Sequence, residues 1–276
     1  PQAALRTYDE QTAAAVKALY REMRAQQSVE HVRLCRAKYC AGLGEKVKMS
    51  VWDALELLAR FVDVSDPDVS LPNQMHAYQT AEGLRAMNLP DWLQLTGLIH
   101  DLGKMMAFVK GCDEDGTSVA TQWSIVGDTW VVGCAMPATL VFPEYNGLSP
   151  DAQHPERCTQ LGIYAPGCGL DATLVAFGHD EYLYQVLAQQ QWRGVKLPKE
   201  ALYIIRYHSL YAWHDKGEYE ALESEYDRNM KGWVKLFNQH DLYTKKNVKY
   251  TEAELSEMRA YYSGLVDKYL PAELNW

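Results

Sequence analysis

The stretch Leu98-Ile99-His100-Asp101-Leu102-Gly103-Lys104 decides how the rest of the chain is read. Apolar residues run up to an imidazole and a carboxylate side by side, and a glycine and a lysine follow. Burying such a pair on a greasy helix is costly unless something pairs with it. A metal ion would meet that cost. Asp offers two oxygens and can bridge two metals while the neighbouring His holds one. Lys104 stands four residues after His100, so a continuing helix predicts its ammonium on the same face, one turn on. The plainer reading is a helix end with Gly103 as C-cap and exposed polar residues. Repetition argues against it. His-Asp occurs at His100-Asp101, His179-Asp180, His214-Asp215 and His240-Asp241. Chance predicts roughly half of one such pair from this composition. The excess points to metal chemistry without saying which member of each pair ligates.

A chain of 276 residues can bury a large core. The net charge of -9 makes a nucleic-acid or anionic-membrane partner unexpected. Eight Trp and eighteen Tyr argue against disorder. Neither an apolar run of membrane-spanning length nor a signal-like stretch is seen, so a cytoplasmic location is expected. The six cysteines contain no C-x-x-C pair, which leaves a zinc ribbon unsupported and predicts free, mostly packed thiols. Any metal should then be held by nitrogen and oxygen.

Periodicity predicts helices over 12–27 and 29–39, with Leu5 to Tyr8 extended before them. Ser50 predicts a capped helix through Leu58 and Val62. The acidic, Pro-broken loop Asp63 to Asp68 reads as a solvated turn. Asn73 is the expected cap of a helix over 75–87, which puts His76 in its first turn, and Asp91 the cap of the helix carrying His100. Residues 111–121 read as an exposed loop. Two β-branched runs around Gly127-Asp128 predict a short hairpin over 123–132. Helices follow near 181–191, from Pro198 through His208, over 226–242, and from Thr251, where Glu254 completes a capping box. Without repeat or linker, residues 1–276 are expected to form one mainly α-helical domain with a small β-hairpin.

A dinuclear site in a helical bundle draws ligands from separate helices. The candidates are His76, His100, Asp101, His179, His208 and Asp241. Four imidazoles and two carboxylates suit iron or manganese. His31 and His154 are expected at the surface and His214 in a structural place. Spacing alone leaves His240 and Asp180 open.

The order His76, His100-Asp101, His179, His208, Asp241 resembles the ligand pattern of the HD-domain superfamily, and more narrowly the myo-inositol oxygenase family. The matching stretches are Asp63 to Pro72, Met75 to Gly83, Gly97 to Lys104, Val126-Gly127-Asp128-Thr129, Gly178 to Tyr182, Ile205 to Ser209 and Asp241 to Lys245. The resemblance runs from Arg6 to Leu274-Asn275-Trp276. It implies an all-helical HD-type fold and ring cleavage of myo-inositol with O2, giving D-glucuronate. It implies a mixed-valent Fe(II)/Fe(III) pair as cofactor and a monomer. It places one iron on His76, His100, Asp101 and Asp241, and the other on His179, His208 and the shared Asp101. It implies that Asp101 and Lys104 are catalytic. Implied substrate contacts are Arg6, Asp63, Ser65, Lys104, Gly127, Asp128, His208 and Ser209. A cyclic polyol offers only hydroxyls, and many short polar groups are what it needs, because unpaired buried groups are penalised.

Two features depart from the family. Val64 stands where members usually carry an acidic residue, so a contact there would use the backbone. The loop over 110–121 is longer than usual. The enzymatic rival is an HD-type phosphohydrolase, which would want a basic cluster to clamp phosphate. Lys104 and Arg206 near the ligands do not make one. A helical scaffold with scattered histidines would leave the His-Asp excess unexplained.

Overall fold

The computed structural model describes residues 8, 12–41, 47–66, 72–243 and 250–276. Among these the chain runs α1 (Ala14–Gln26), α2 (Val29–Cys35), β1 (Lys48–Met49), α3 (Val51–Leu58), α4 (Asn73–Ala86), α5 (Asp91–Ile99) and α6 (Met106–Val109). It continues β2 (Val131–Val132), β3 (Leu174–Val175), α7 (His179–Ala188), α8 (Lys199–Tyr207), α9 (Tyr211–His214), α10 (Glu225–Tyr243), α11 (Glu252–Tyr269) and β4 (Leu274–Asn275). The mainly α architecture with a little β-structure is the one expected. Arg6, with the Leu5 to Thr7 part of the expected extended segment, and residues 67–71 beyond Asp66 lie outside the described residues.

Local chemistry explains the helix starts. Ser50 and Asp53 cap α3 reciprocally, and Thr251 and Glu254 do the same for α11. Two expected caps act otherwise. Asn73 is the first residue of α4, and its side chain donates to the Phe61 carbonyl at 2.7 Å. Asp91 lies inside α5 and accepts from Tyr269 at 2.6 Å. In both cases a proline precedes the helix and a tertiary partner claims the side chain. Helix α5 is buried through Leu93, Leu95, Leu98 and Ile99 and presses on α4 at Gly97, where a Cβ would stand 3.0 Å from the Ala81 backbone.

The β-structure is placed differently from the sequence reading. Val131–Val132 pairs antiparallel with Leu174–Val175, and residues 123–127 form turns and bends and 128–130 irregular chain instead of a first strand. The β-branched signal was real at Val131, but its partner lies over forty positions on. The second pair joins β1 to β4 and closes the chain onto itself. Trp276 is fully buried there, its indole donating to the Met49 carbonyl at 3.1 Å. The 111–121 loop is not simply exposed. Thr117 and Asp115 are buried, and the Tyr39 hydroxyl donates to Asp115 at 2.6 Å. No helix among the described residues is long and apolar enough to cross a membrane.

The deciding stretch breaks its helix. Helix α5 ends at Ile99, His100 is its C-cap, and Leu102–Met105 form a 3-10 turn. Residues 100–105 are all buried, so the exposed-end reading fails, and so does the continuing α-helix. A 3-10 turn aligns i with i+3, which sets Lys104 over Asp101 rather than over His100. Gly103 is needed for contact, not for capping: a Cβ there would overlap the His179 carbonyl.

Candidate metal centre

Five helix ends deliver six side chains to one place. His76 comes from the first turn of α4, and His100 and Asp101 from the turn after α5. His179 opens α7, His208 caps α8, and Asp241 lies near the end of α10. The sequence-derived ligand candidates all converge. His76 Nε2 is 2.7 Å from Asp241 Oδ1, and His100 Nε2 is 3.3 Å from the same oxygen. Asp101 turns Oδ2 to His100 at 3.7 Å and Oδ1 to His179 at 3.1 Å and His208 at 3.9 Å. Its two oxygens thus face two groups of imidazoles.

The imidazole tautomers follow from their outer partners. His100 Nδ1 faces the Gly97 carbonyl at 2.8 Å, His179 Nδ1 the Ile125 carbonyl at 2.6 Å, and His208 Nδ1 the Ile205 carbonyl at 3.0 Å. Carbonyls only accept, so each Nδ1 donates, and each neutral ring turns an Nε2 lone pair inward. This is how metal-bound histidines are held. His179 Nε2 and His208 Nε2 lie 3.3 Å apart. Two facing lone pairs repel unless a cation or a proton lies between them. Burial opposes charge on His179, yet the Asp180 and Asp101 carboxylates raise its pKa to about 10. Burial lowers that of His208. Three overlapping groups of His and Asp atoms are close enough to hold an ion, and nitrogen and oxygen donors of this kind fit iron.

Lys104 is 4 % exposed, and its ammonium meets three acceptors: Asp63 Oδ2 at 2.9 Å, Asp101 Oδ2 at 2.9 Å and Asn73 Oδ1 at 3.1 Å. Burial pushes its pKa down, but Asp101 and Asp63 outweigh that and hold it above the usual lysine value. Asp63 Oδ1 accepts from the Ser65 amide at 2.8 Å and hydroxyl at 2.6 Å, and Ser65 is fully buried. This part of the acidic loop is an ordered wall rather than a solvated turn.

Asp63, Lys104, Gly127, His208 and Ser209 line the cleft, as do all of the six side chains except His100. Ser65 and Asp128 stand behind that lining. Asp128 is buried, accepts from the Val141 amide at 3.3 Å and pairs with Arg24 at 3.6 Å. Asn73, Gln79 and Tyr211 also line the cleft and went unnoticed in the sequence. Asn73 was hidden by its capping signature, and Tyr211 carries no local signal.

The other histidines sort themselves. His154 is exposed, as expected. His31 is half-buried rather than fully exposed at the surface. Its Nε2 lies 2.9 Å from Ser124 Oγ, its ring packs on Trp123, and burial lowers its pKa to about 4. Cys35 Sγ is 3.4 Å away, but burial pushes that thiol to about 12, so the pair is neutral and holds no thiolate. His214 is structural: buried, with Nε2 2.9 Å from the His208 carbonyl.

Burial lowers the His214 pKa to about 4. Its effect on stability is absent above the ordinary histidine pKa near 6.5 and grows as pH falls toward 4, because the unfolded chain then binds a proton that the folded chain refuses. The full loss is up to about 3 kcal/mol. Thermal melts of wild type and His214→Gln from pH 7.5 to 4.5 check this. The wild type should lose more of its melting temperature across that range than the variant, and parallel slopes would exclude a neutral His214.

A buried centre of histidines and aspartates at the ends of five helices marks a metal-dependent enzyme. A sequence model of the family described as myo-inositol oxygenase matches residues 13–276. The inositol oxygenase of Homo sapiens is 44% identical over 259 residues, covering 93% of this chain and 85% of that protein. That of Danio rerio is 45% identical over 232 residues, with 83% and 77% covered. A probable inositol oxygenase of Oryza sativa subsp. japonica is 40% identical over 263 residues, with 95% and 80% covered. The chain belongs to the myo-inositol oxygenase family and is an oxidoreductase.

Proposed function

We infer that the enzyme cleaves the ring of myo-inositol with O2 to give D-glucuronate, using a mixed-valent Fe(II)/Fe(III) pair. Inositol oxygenase is the function that family membership favours, over the phosphohydrolase alternative. In this reading residues 1–276 act as one catalytic domain, monomeric and cytoplasmic. One iron takes His76, His100, Asp101 and Asp241. The other takes His179, His208 and the shared Asp101. The observation that carries the assignment is the orientation of Asp101, one oxygen toward His100 and the other toward His179.

When bound, the irons supply Lewis acidity at a substrate hydroxyl and the electron chemistry of O2. The chain supplies position. Lys104 donates to a substrate oxygen, and Asp63 and Ser209 exchange hydrogen bonds with the polyol. The Gly127 backbone lies close to the ring. Ser65 and Asp128 hold this wall from behind, and Arg6 is assigned to it by resemblance. The cations near the centre do not suit phosphate. Lys104 is a single ammonium in the cleft, and Arg206 is bound to Glu181 at 2.7 Å and Asp171 at 2.7 Å.

Metal analysis should find two irons per chain with no iron–thiolate signature, and an oxygen electrode should record uptake on adding myo-inositol. A single zinc, or iron-replete protein that consumes no O2 with myo-inositol, would overturn the reading.

A further inference from the structure

His179-Asp180 repeats the His100-Asp101 pair, and its carboxylate has no place in the assignment above. Asp180 is 2 % exposed. Its Oδ1 lies 2.7 Å from His179 Nε2 and 3.3 Å from His208 Nε2. Ser209 and the two imidazoles are its polar surroundings, yet neither of its oxygens accepts a well-formed hydrogen bond. A buried carboxylate in that state is costly. The inward tautomers of His179 and His208 point their lone pairs at the same spot, so three donor atoms converge there.

Charge leads to the same place. The six assigned ligands bring two negative charges, from Asp101 and Asp241, against four or more positive charges on two metal ions. Lys104 adds another positive charge, and Asp63 offsets it. The side of the centre that carries His179 and His208 shares Asp101 but has no carboxylate of its own in that set. We propose that Asp180 is a further protein ligand to the metal held by His179 and His208 in the substrate-free enzyme. The inference rests on the paired-metal reading above.

The test titrates Co(II) alone, anaerobically, into metal-free full-length protein, followed by visible absorption and metal analysis. Wild type should bind two equivalents per chain. Asp180→Asn should bind the second at least about tenfold more weakly, with an altered ligand-field spectrum. Asp180→Glu, which keeps the charge, should recover part of the affinity. If Asp180→Asn binds both equivalents as wild type does, with an unchanged spectrum, Asp180 is not a ligand and the paired centre stands. Fewer than two equivalents in wild type would overturn the paired centre itself. Melts of the metal-free proteins report folding. Should Asp180→Asn fail to fold, the Asp180→Glu spectrum decides: a shift supports ligation, and identity with wild type overturns it.

Discussion

Asp101→Asn is expected to strip both irons, and to cost more metal than His179→Ala does. Asp101 faces His100 with one oxygen and His179 with the other, so its removal affects both halves of the centre. An amide has one acceptor oxygen and no negative charge. The carboxylate ionises readily here. Burial raises its pKa, but Lys104 and the imidazoles hold it well below the ordinary value. His179, by contrast, is assigned to one metal. The loss in Asp101→Asn should exceed the roughly 10–100-fold in affinity that removing an outer partner of a ligand costs. Iron per chain, measured on both variants after identical loading, decides the matter. An Asn variant that keeps both irons beside an Ala variant that loses both would refute the bridge.

Lys104→Ala should keep its iron and lose turnover. A lysine that donates to a substrate oxygen makes a charge-assisted hydrogen bond of roughly 1.5–3 kcal/mol. If that bond forms in the transition state, kcat/KM should fall by about ten- to two-hundred-fold. The structure adds a second expectation. The ammonium is buried among Asp63, Asp101 and Asn73, so the metal-free variant leaves carboxylates without their cation. Breaking a buried pair from one side costs about 3–5 kcal/mol. Metal-free Lys104→Ala should melt well below wild type, and iron should restore much of the difference by neutralising Asp101. Steady-state O2 consumption on iron-replete protein tests the first expectation. Wild-type kcat/KM would remove Lys104 from the substrate, and loss of iron would make it a support of the metal site.

The sequence disclosed the candidate ligands because metal chemistry needs rare residue types. Eight histidines are few enough for a fourfold His-Asp repeat to stand out. Helices with capping boxes were equally plain at Ser50 and Thr251. What stayed hidden depends on partners far along the chain. Val131 pairs with Val175, so the hairpin expected around Gly127 does not form. Asn73 looked like a cap, but Lys104 and the Phe61 carbonyl take both ends of its amide. His31 looked like a surface residue on a basic helix, yet Trp123 and Ser124 cover it. Asp128 was assigned to substrate by resemblance, and its side chain turns to Arg24. At Val131, Asn73 and His31 a tertiary contact overrode the local signal.

Gly103 carries a consequence for how this centre keeps its dimensions. Its main chain lies directly on the His179 carbonyl, so the segments bearing Asp101 and His179 meet backbone to backbone. Spacings set by side-chain packing drift when apolar residues are exchanged, because rotamers and small shifts absorb the change in volume. A main-chain contact has no rotamer to change. The gauge between Asp101 and His179 is therefore insulated from the surrounding bundle. Helix α10, which carries Asp241, has no such stop among the described residues: a Cβ at its Gly232 would meet nothing within 4 Å. Asp241 rides near the end of a nineteen-residue helix and reaches His76 and His100 through side chains alone. The centre thus has one fixed jaw and one compliant jaw, and redesign of the interior would be felt at Asp241 first.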